Sequence, residues 1–181
     1  MNVNTPPKNP LLITGSAPGV LVDIAGVPRV CSYDFMAIGL DAVDKYRWPI
    51  RYCATYHPAE IPEIRRRREA CGGNGDFQII SHEPRDGVDI LVADWWKPSG
   101  SSSLLGVQAA FRLGYVRIVL AGCPLTGKNA KNGDYENFRK GWEAHAKDLG
   151  DRVRSMSGWT LDFFGAPTVE WLLSATERRD G

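Results

Sequence analysis

Three consecutive serines, Ser101-Ser102-Ser103, follow Pro98-Ser99-Gly100 and open an apolar helical pattern that runs to Leu113. Hydroxyls and backbone N–H groups without intrahelical acceptors collect there at the positive end of a helix, which suits a phosphate or a carboxylate. One serine satisfies the capping requirement, so a run of three points beyond capping to anion recognition, with Gly100 supplying backbone freedom. A second candidate is the turn Gly15-Ser16-Ala17-Pro18-Gly19, between the apolar run Leu11-Leu12-Ile13-Thr14 and the segment Val20-Leu21-Val22-Asp23-Ile24. It serves either as a phosphate cradle or as a tight strand-to-helix turn. It carries neither G-x-G-x-x-G nor Gly-Lys-Ser/Thr, so it matches neither the dinucleotide fingerprint nor the Walker loop.

Further polar residues stand where strands are expected to end. Ser32 and Asp34 follow one apolar run, His57 precedes Pro58 after another, and Asp94-Trp95-Trp96 follow a third. Loops at strand ends carry function disproportionately, although Asp34 could instead cap a helix and His57 could instead serve a turn. The Trp pair offers either planes for stacking or core mass. The polar stretch from Cys123 to Asp134 reads as a lid. Beyond it, Tyr135 and Arg139 share a helical face at i, i+4 spacing, suited to holding a leaving phosphate, and His145 is a candidate acid or base or a solvated residue. Arg152, Arg154, Ser155 and Ser157 form another candidate anion group.

The elements that must position these side chains alternate in an α/β manner. Strands are expected at 11–14, 29–33, 50–56, 77–80, 89–93 and 116–121, about six in all, in near-continuous apolar runs typical of a parallel sheet covered on both faces. Helices are expected at 36–46, 61–70, 101–113 and 135–149, with a last one opening at Pro167-Thr168. With 181 residues, 43% of them apolar, and 22 basic against 21 acidic side chains, the chain suits one domain over 10–181, preceded by a short disordered leader over 1–9. The near-neutral balance argues against a dedicated nucleic-acid binder. No apolar run approaches the roughly 20 residues of a membrane span. The N-terminus shows no export signal, which points to a cytoplasmic location. Cys31, Cys53, Cys71 and Cys123 form no C-x-x-C pair and read as free thiols, and with His57, His82 and His145 they offer no metal spacing.

The Gly15-Ser16-Ala17-Pro18-Gly19 turn, the Cys31-Ser32-Tyr33-Asp34-Phe35 segment, and Gly100-Ser101-Ser102-Ser103 leading through a helix to Arg117-Ile118-Val119-Leu120-Ala121-Gly122 together resemble the Rossmann-like bacterial sialyltransferases. The layout is similar to that of 6-hydroxymethylpterin pyrophosphokinase-like proteins and flagellin-modifying motility factors, and the compact size resembles small phage-encoded versions. The likeness covers about residues 10 to 145. It implies a single three-layer Rossmann-like α/β domain with a mostly parallel sheet. It also implies a cytidine monophosphate site at Gly15, Ser16, Ser101 and Ser102, with Tyr135 assisting departure of the phosphate. The asparagine expected after Cys31 is replaced by Ser32 or Tyr33, and Cys123 stands where relatives carry an aspartate.

The expectation is therefore a glycosyltransferase-like enzyme that moves a sugar from a CMP-sugar type donor to an acceptor. Gly15, Ser16, Gly19, Ser32, Gly100, Ser101, Ser102, Ser103 and Arg139 are the candidate ligand contacts, and Asp34, His57, Tyr135 and His145 the candidate catalytic groups. No metal is required where these donors stabilise the leaving charge. Two alternatives stand beside it: diphosphate transfer with Mg²⁺ held by Asp34 and Asp94, and a non-catalytic nucleotide-binding protein. A homo-oligomer is compatible with each.

Overall fold

The computed structural model describes residues 9–92, 100–126, 128–129 and 133–177. The expected leader, apart from Asn9, and the Asp94-Trp95-Trp96 group lie outside the described residues. The elements are β1 (Leu11–Thr14), α1 (Val20–Gly26), β2 (Asp34–Ile38), β3 (Tyr52–Ala54), α2 (Ile61–Ala70), β4 (Gln78–Ser81), β5 (Ile90–Leu91), α3 (Ser102–Arg112) and β6 (Ile118–Ala121). They continue with β7 (Lys128–Asn129), β8 (Gly133–Asp134), α4 (Glu136–Ala144), α5 (Ala146–Leu149), β9 (Val153–Ser155), α6 (Gly158–Phe164) and α7 (Val169–Glu177).

Seven strands form one wholly parallel sheet in the order β5-β4-β3-β2-β1-β6-β9. Every residue of β1 and β6 is buried, as strands covered on both faces require. From β1 the chain builds outward to β5 and then returns to lay β6 on the other side of β1, so the loops after β1 and β6 leave in opposite directions. That switch point opens a crevice above the C-terminal strand ends.

One face is covered by α3, whose residues from Ser103 to Ala110 are buried against Leu11, Ile13, Met36, Ala54 and Ile80. A Cβ at Gly106 would stand 2.8 Å from the Ile38 Cδ1, so glycine is what allows helix and sheet to approach this closely. The other face carries two separate clusters. Ala37, Cys53 and Ile79 pack under α2 and the 42–50 segment, whereas Leu12, Val119 and Ala121 pack with Val27 and with Trp171 and Leu172 of α7.

Several expectations are corrected. The second strand lies at Asp34–Ile38 instead of 29–33, and no helix spans 36–46. Met36, Ala37, Leu40 and Val43 match helical spacing, but Met36 and Ala37 are both fully buried in clusters on opposite faces of the sheet, which is what a central strand demands. Arg29 to Ser32 carries no such burial. The sheet has a seventh strand because β9, with Arg154 at its centre, adds an edge that has no apolar run to announce it. The expected 135–149 helix is broken at His145 into α4 and α5, and the expected lid loop contains the antiparallel β7–β8 ladder.

Candidate functional site

A cleft of about 620 Å³ occupies the switch point. Its floor is the crossing of two backbones. Gly15 N–H donates to the Ala121 carbonyl (2.8 Å) and Ala17 N–H to the Gly122 carbonyl (3.2 Å), so two donors of the glycine-rich turn are used inside the fold. A Cβ on Gly15 would lie 2.2 Å from the Gly122 oxygen, and one on Gly122, where φ is +65°, would lie 2.6 Å from Val20. Glycine is obligatory here for close approach, which favours the structural half of the turn's two readings while leaving Ser16 exposed on the cleft wall. Gly19 caps α1 outside the lining residues.

The serine run has a similar double character. Ser101 Oγ caps α3 by accepting from Leu104 N–H at 3.3 Å and lies 2.9 Å from Ser103 Oγ, while Ser102 Oγ accepts the Tyr56 N–H at 3.3 Å. All three hydroxyls therefore have internal partners. What faces the cleft is the first turn of an eleven-residue helix whose leading N–H groups have no intrahelical acceptor. Gly100 turns the chain into it with φ +73°.

The wall beside the serine run is built by β3 and the turn after it. His57 N–H is held by Thr55 Oγ1 at 2.9 Å, its carbonyl accepts from Glu60 N–H at 2.9 Å, and the exposed imidazole and Glu60 both line the cleft with Asp41. Tyr135, at the start of α4, lines the cleft with Phe138, their rings 5.8 Å apart. Arg139 is one turn further on and braces this wall from behind. Its Nε donates to the Leu125 carbonyl at 2.8 Å and its guanidinium lies 5.9 Å from the Trp159 ring centroid. Leu125 has φ +46°, a conformation that costs a side-chain-bearing residue about 1–2 kcal/mol.

Structure thus brings together Gly15, Ser16, His57, Gly100, Ser101, Ser102, Ser103 and Tyr135 on one cleft. Two candidates sit elsewhere for a definite reason: because β2 starts at Asp34 instead of ending before it, Asp34 and Ser32 are at the N-terminal end of the sheet, away from the cleft. There Asp34 accepts the Tyr115 hydroxyl at 2.6 Å and meets Arg51 Nε at 3.2 Å. Burial, and then the bond to Asp34, holds the Tyr115 phenol well above its usual range. His145 caps α4, with Nδ1 3.6 Å from Asp148, and does not line the cleft. The Arg152/Arg154 group does not form an anion site: Arg154 pairs with Asp151, Arg152 lies over the Phe111 ring, Ser155 bonds Thr160, and Ser157 bonds Asp23.

Several cleft residues carry no signal in the sequence, among them Asp41, Glu60 and Phe138. Asp23, outside the lining residues, supports the cleft: its Oδ2 accepts both Gly122 N–H (2.7 Å) and Ser157 Oγ–H (2.6 Å), tying α1 to the loops after β6 and β9. Cys123 lines the floor, but burial, reinforced by Asp23, pushes its thiol up to about 12, so it stays protonated. Among the described residues no three His, Cys, Asp or Glu side chains converge to hold a metal ion, and Asp34 is too far down the sheet to serve one in this cleft.

No family profile and no curated protein sequence matches the chain. In solved structures the chain is similar to the sialyltransferase CST-II in complex with a trisaccharide acceptor and CMP, with a TM-score of 0.54 and 12% identity over 88% of this chain and 86% of that one. The likeness is one of fold, a distant structural relationship to sialyltransferase-like proteins. No helix among the described residues is long and apolar enough to cross a membrane.

Proposed function

We propose that the switch-point cleft binds the nucleotide-phosphate portion of an activated sugar, of the CMP-sugar type, and passes the sugar to an acceptor hydroxyl. The observation that carries this reading is convergence. The start of α3, the Gly15-Ser16 turn, His57 and Tyr135 meet in one cleft, in a fold shared with a structure solved with CMP and an acceptor. In this scheme the acceptor oxygen attacks the anomeric carbon and its proton passes to His57, the surviving base candidate now that Asp34 is removed from the cleft. The bond from that carbon to the phosphate oxygen breaks with its electron pair going to the phosphate. The leaving dianion rests against the α3 N-terminus, and the Tyr135 hydroxyl donates to it.

The test is a thermal-shift and turnover series with CMP, UMP and the corresponding nucleotide sugars, with and without Mg²⁺. A metal-independent rise in Tm with a cytidine nucleotide, together with release of CMP from a CMP-sugar that is lost in His57→Ala, is the expected result. Binding without turnover would make the protein a nucleotide-binding module. Turnover only with Mg²⁺ and a nucleoside triphosphate would favour diphosphate transfer, with Asp41 and Glu60 the carboxylates present in the cleft. No stabilisation by any nucleotide would overturn the proposal.

A further inference from the structure

The layer covering the second face of the sheet is divided, and the gap between its two clusters is a cavity of about 700 Å³ that shares no lining residue with the switch-point cleft. Its floor is the sheet itself, Leu12 and Phe35; its walls are Leu21 and Ile24 of α1 on one side and Trp48 on the other. These walls are held in place. The buried Arg68 donates to the carbonyls of Val43 (3.1 Å), Tyr46 (2.6 Å) and Trp48, fixing the turn that carries the indole. Tyr33, which also lines the cavity, is pinned by its hydroxyl bond to the Pro28 carbonyl at 2.8 Å. Despite this support Leu21 is 52% and Trp48 47% exposed among the described residues, a large apolar area for an open surface. One cation stands in this apolar setting. Arg29 lines the cavity, is exposed, and forms no ion pair among the described residues.

We propose that this cavity is a second ligand site, for an amphipathic organic anion whose apolar body lies over Leu12, Phe35 and Trp48 and whose carboxylate or phosphate meets Arg29. The volume falls in the range of small-molecule sites, and such sites join a mostly apolar lining to one or two placed polar groups. The concavity favours a discrete molecule over a flat bilayer or a globular partner, because the floor is the sheet surface between α1 and the turn that carries Trp48. The charge selects an anion. An acyl chain and an aromatic acid share this chemistry, and the two differ in how much they gain from the Trp48 face.

The test is calorimetric titration of the full chain with monomeric decanoate, with indole-3-butyrate, and with neutral decanol. The expected result is one saturable site for at least one acid, with a Kd below the millimolar range, unchanged in Ser16→Ala, a variant of the other cleft. Arg29→Ala should reduce the preference for decanoate over decanol by about threefold to fivefold, the size of an exposed ion pair. Trp48→Ala should weaken the bound acid by about tenfold, a larger loss for indole-3-butyrate marking an aromatic ligand and an equal loss marking an acyl chain. Ala25→Trp, which places bulk at the cavity mouth, should abolish binding while thermal unfolding stays cooperative. Absence of a one-to-one site for every probe, or an acid-over-alcohol preference that survives Arg29→Ala, would overturn the proposal. So would sedimentation with phosphatidylglycerol vesicles without binding of the monomeric acids, which would reassign the patch to a membrane surface.

Discussion

The two ends of the parallel sheet use the same kinds of residue to opposite effect. At the N-terminal end an aspartate, an arginine and a tyrosine, Asp34, Arg51 and Tyr115, satisfy one another, and Tyr52 closes the group with its ring edge-on to Tyr115 at 6.3 Å. At the C-terminal end a histidine, a tyrosine and a serine-capped helix start face a cleft of about 620 Å³. The difference lies in the path of the chain. Between β1 and β6 the loops part at the C-terminal end and leave room that none of the described side chains fills, whereas the N-terminal end has no such divergence and its polar groups collapse onto one another. Residue chemistry makes a site only where topology withholds the internal partner.

That contrast can be broken by substitution. The largest effect is expected at the floor of the cleft. Gly15→Val would push a side chain into the Gly122 carbonyl, whose oxygen lies 2.2 Å from where a Cβ would stand, and should cost about 3 kcal/mol of stability together with all nucleotide binding. Urea denaturation and a CMP titration would check both; a loss below about 1 kcal/mol would mean that the crossing tolerates separation. Next, His57→Ala should lower kcat by at least about a hundredfold, near 2.7 kcal/mol of transition-state energy, with Tm and the Kd for CMP little changed. Asp34→Ala should do the reverse. It removes the carboxylate that the Tyr115 hydroxyl and Arg51 share, for a loss of about 2 kcal/mol in stability, and leaves CMP affinity intact. A drop in affinity there would show the two ends to be coupled.

The smallest effect concerns the buried thiols. Burial pushes both Cys53 and Cys123 up to about 12 from an ordinary value of 9.0. With folded values above the unfolded ones, the unfolded chain releases these protons first, so the contribution is complete below pH 9 and is lost as pH rises toward about 12. By about pH 10 the loss is on the order of 1 kcal/mol per thiol. Urea midpoints from pH 8 to 10 should fall, and should fall less in Cys123→Ala, whose turnover at neutral pH should match the parent because the thiol is no nucleophile.

Legibility followed the strength of the local pattern. The α3 segment has an apolar body, a serine cap and a glycine stop, and its range, burial and cap agree with expectation within one residue. β1, β3, β4 and β6 lie within or close to their apolar runs, although β3 uses only Tyr52–Ala54 of the expected seven residues. The second strand failed because four apolar residues at 36, 37, 40 and 43 satisfy a helix as well as a strand followed by a covering turn. That single misreading carried Asp34 from one end of the sheet to the other. Trp142 continues the Tyr135/Arg139 helical face at i+7 in the sequence, and it is fully buried against Phe164.

By itself the sequence determined the alternation of elements, the parallel sheet, the helix start that faces the cleft and the glycine turn opposite it, because each follows from contacts or dihedral preferences within a few residues. Tertiary structure alone decided which polar side chains remain available. Ser101 to Ser103 spend their hydroxyls on internal partners, Arg139 supports Leu125 in place of a ligand, and Asp23 joins α1 to two loops that lie 99 and 134 residues further along the chain. Such assignments depend on which distant donor meets which acceptor, and that is settled only when the strands take their order in the sheet.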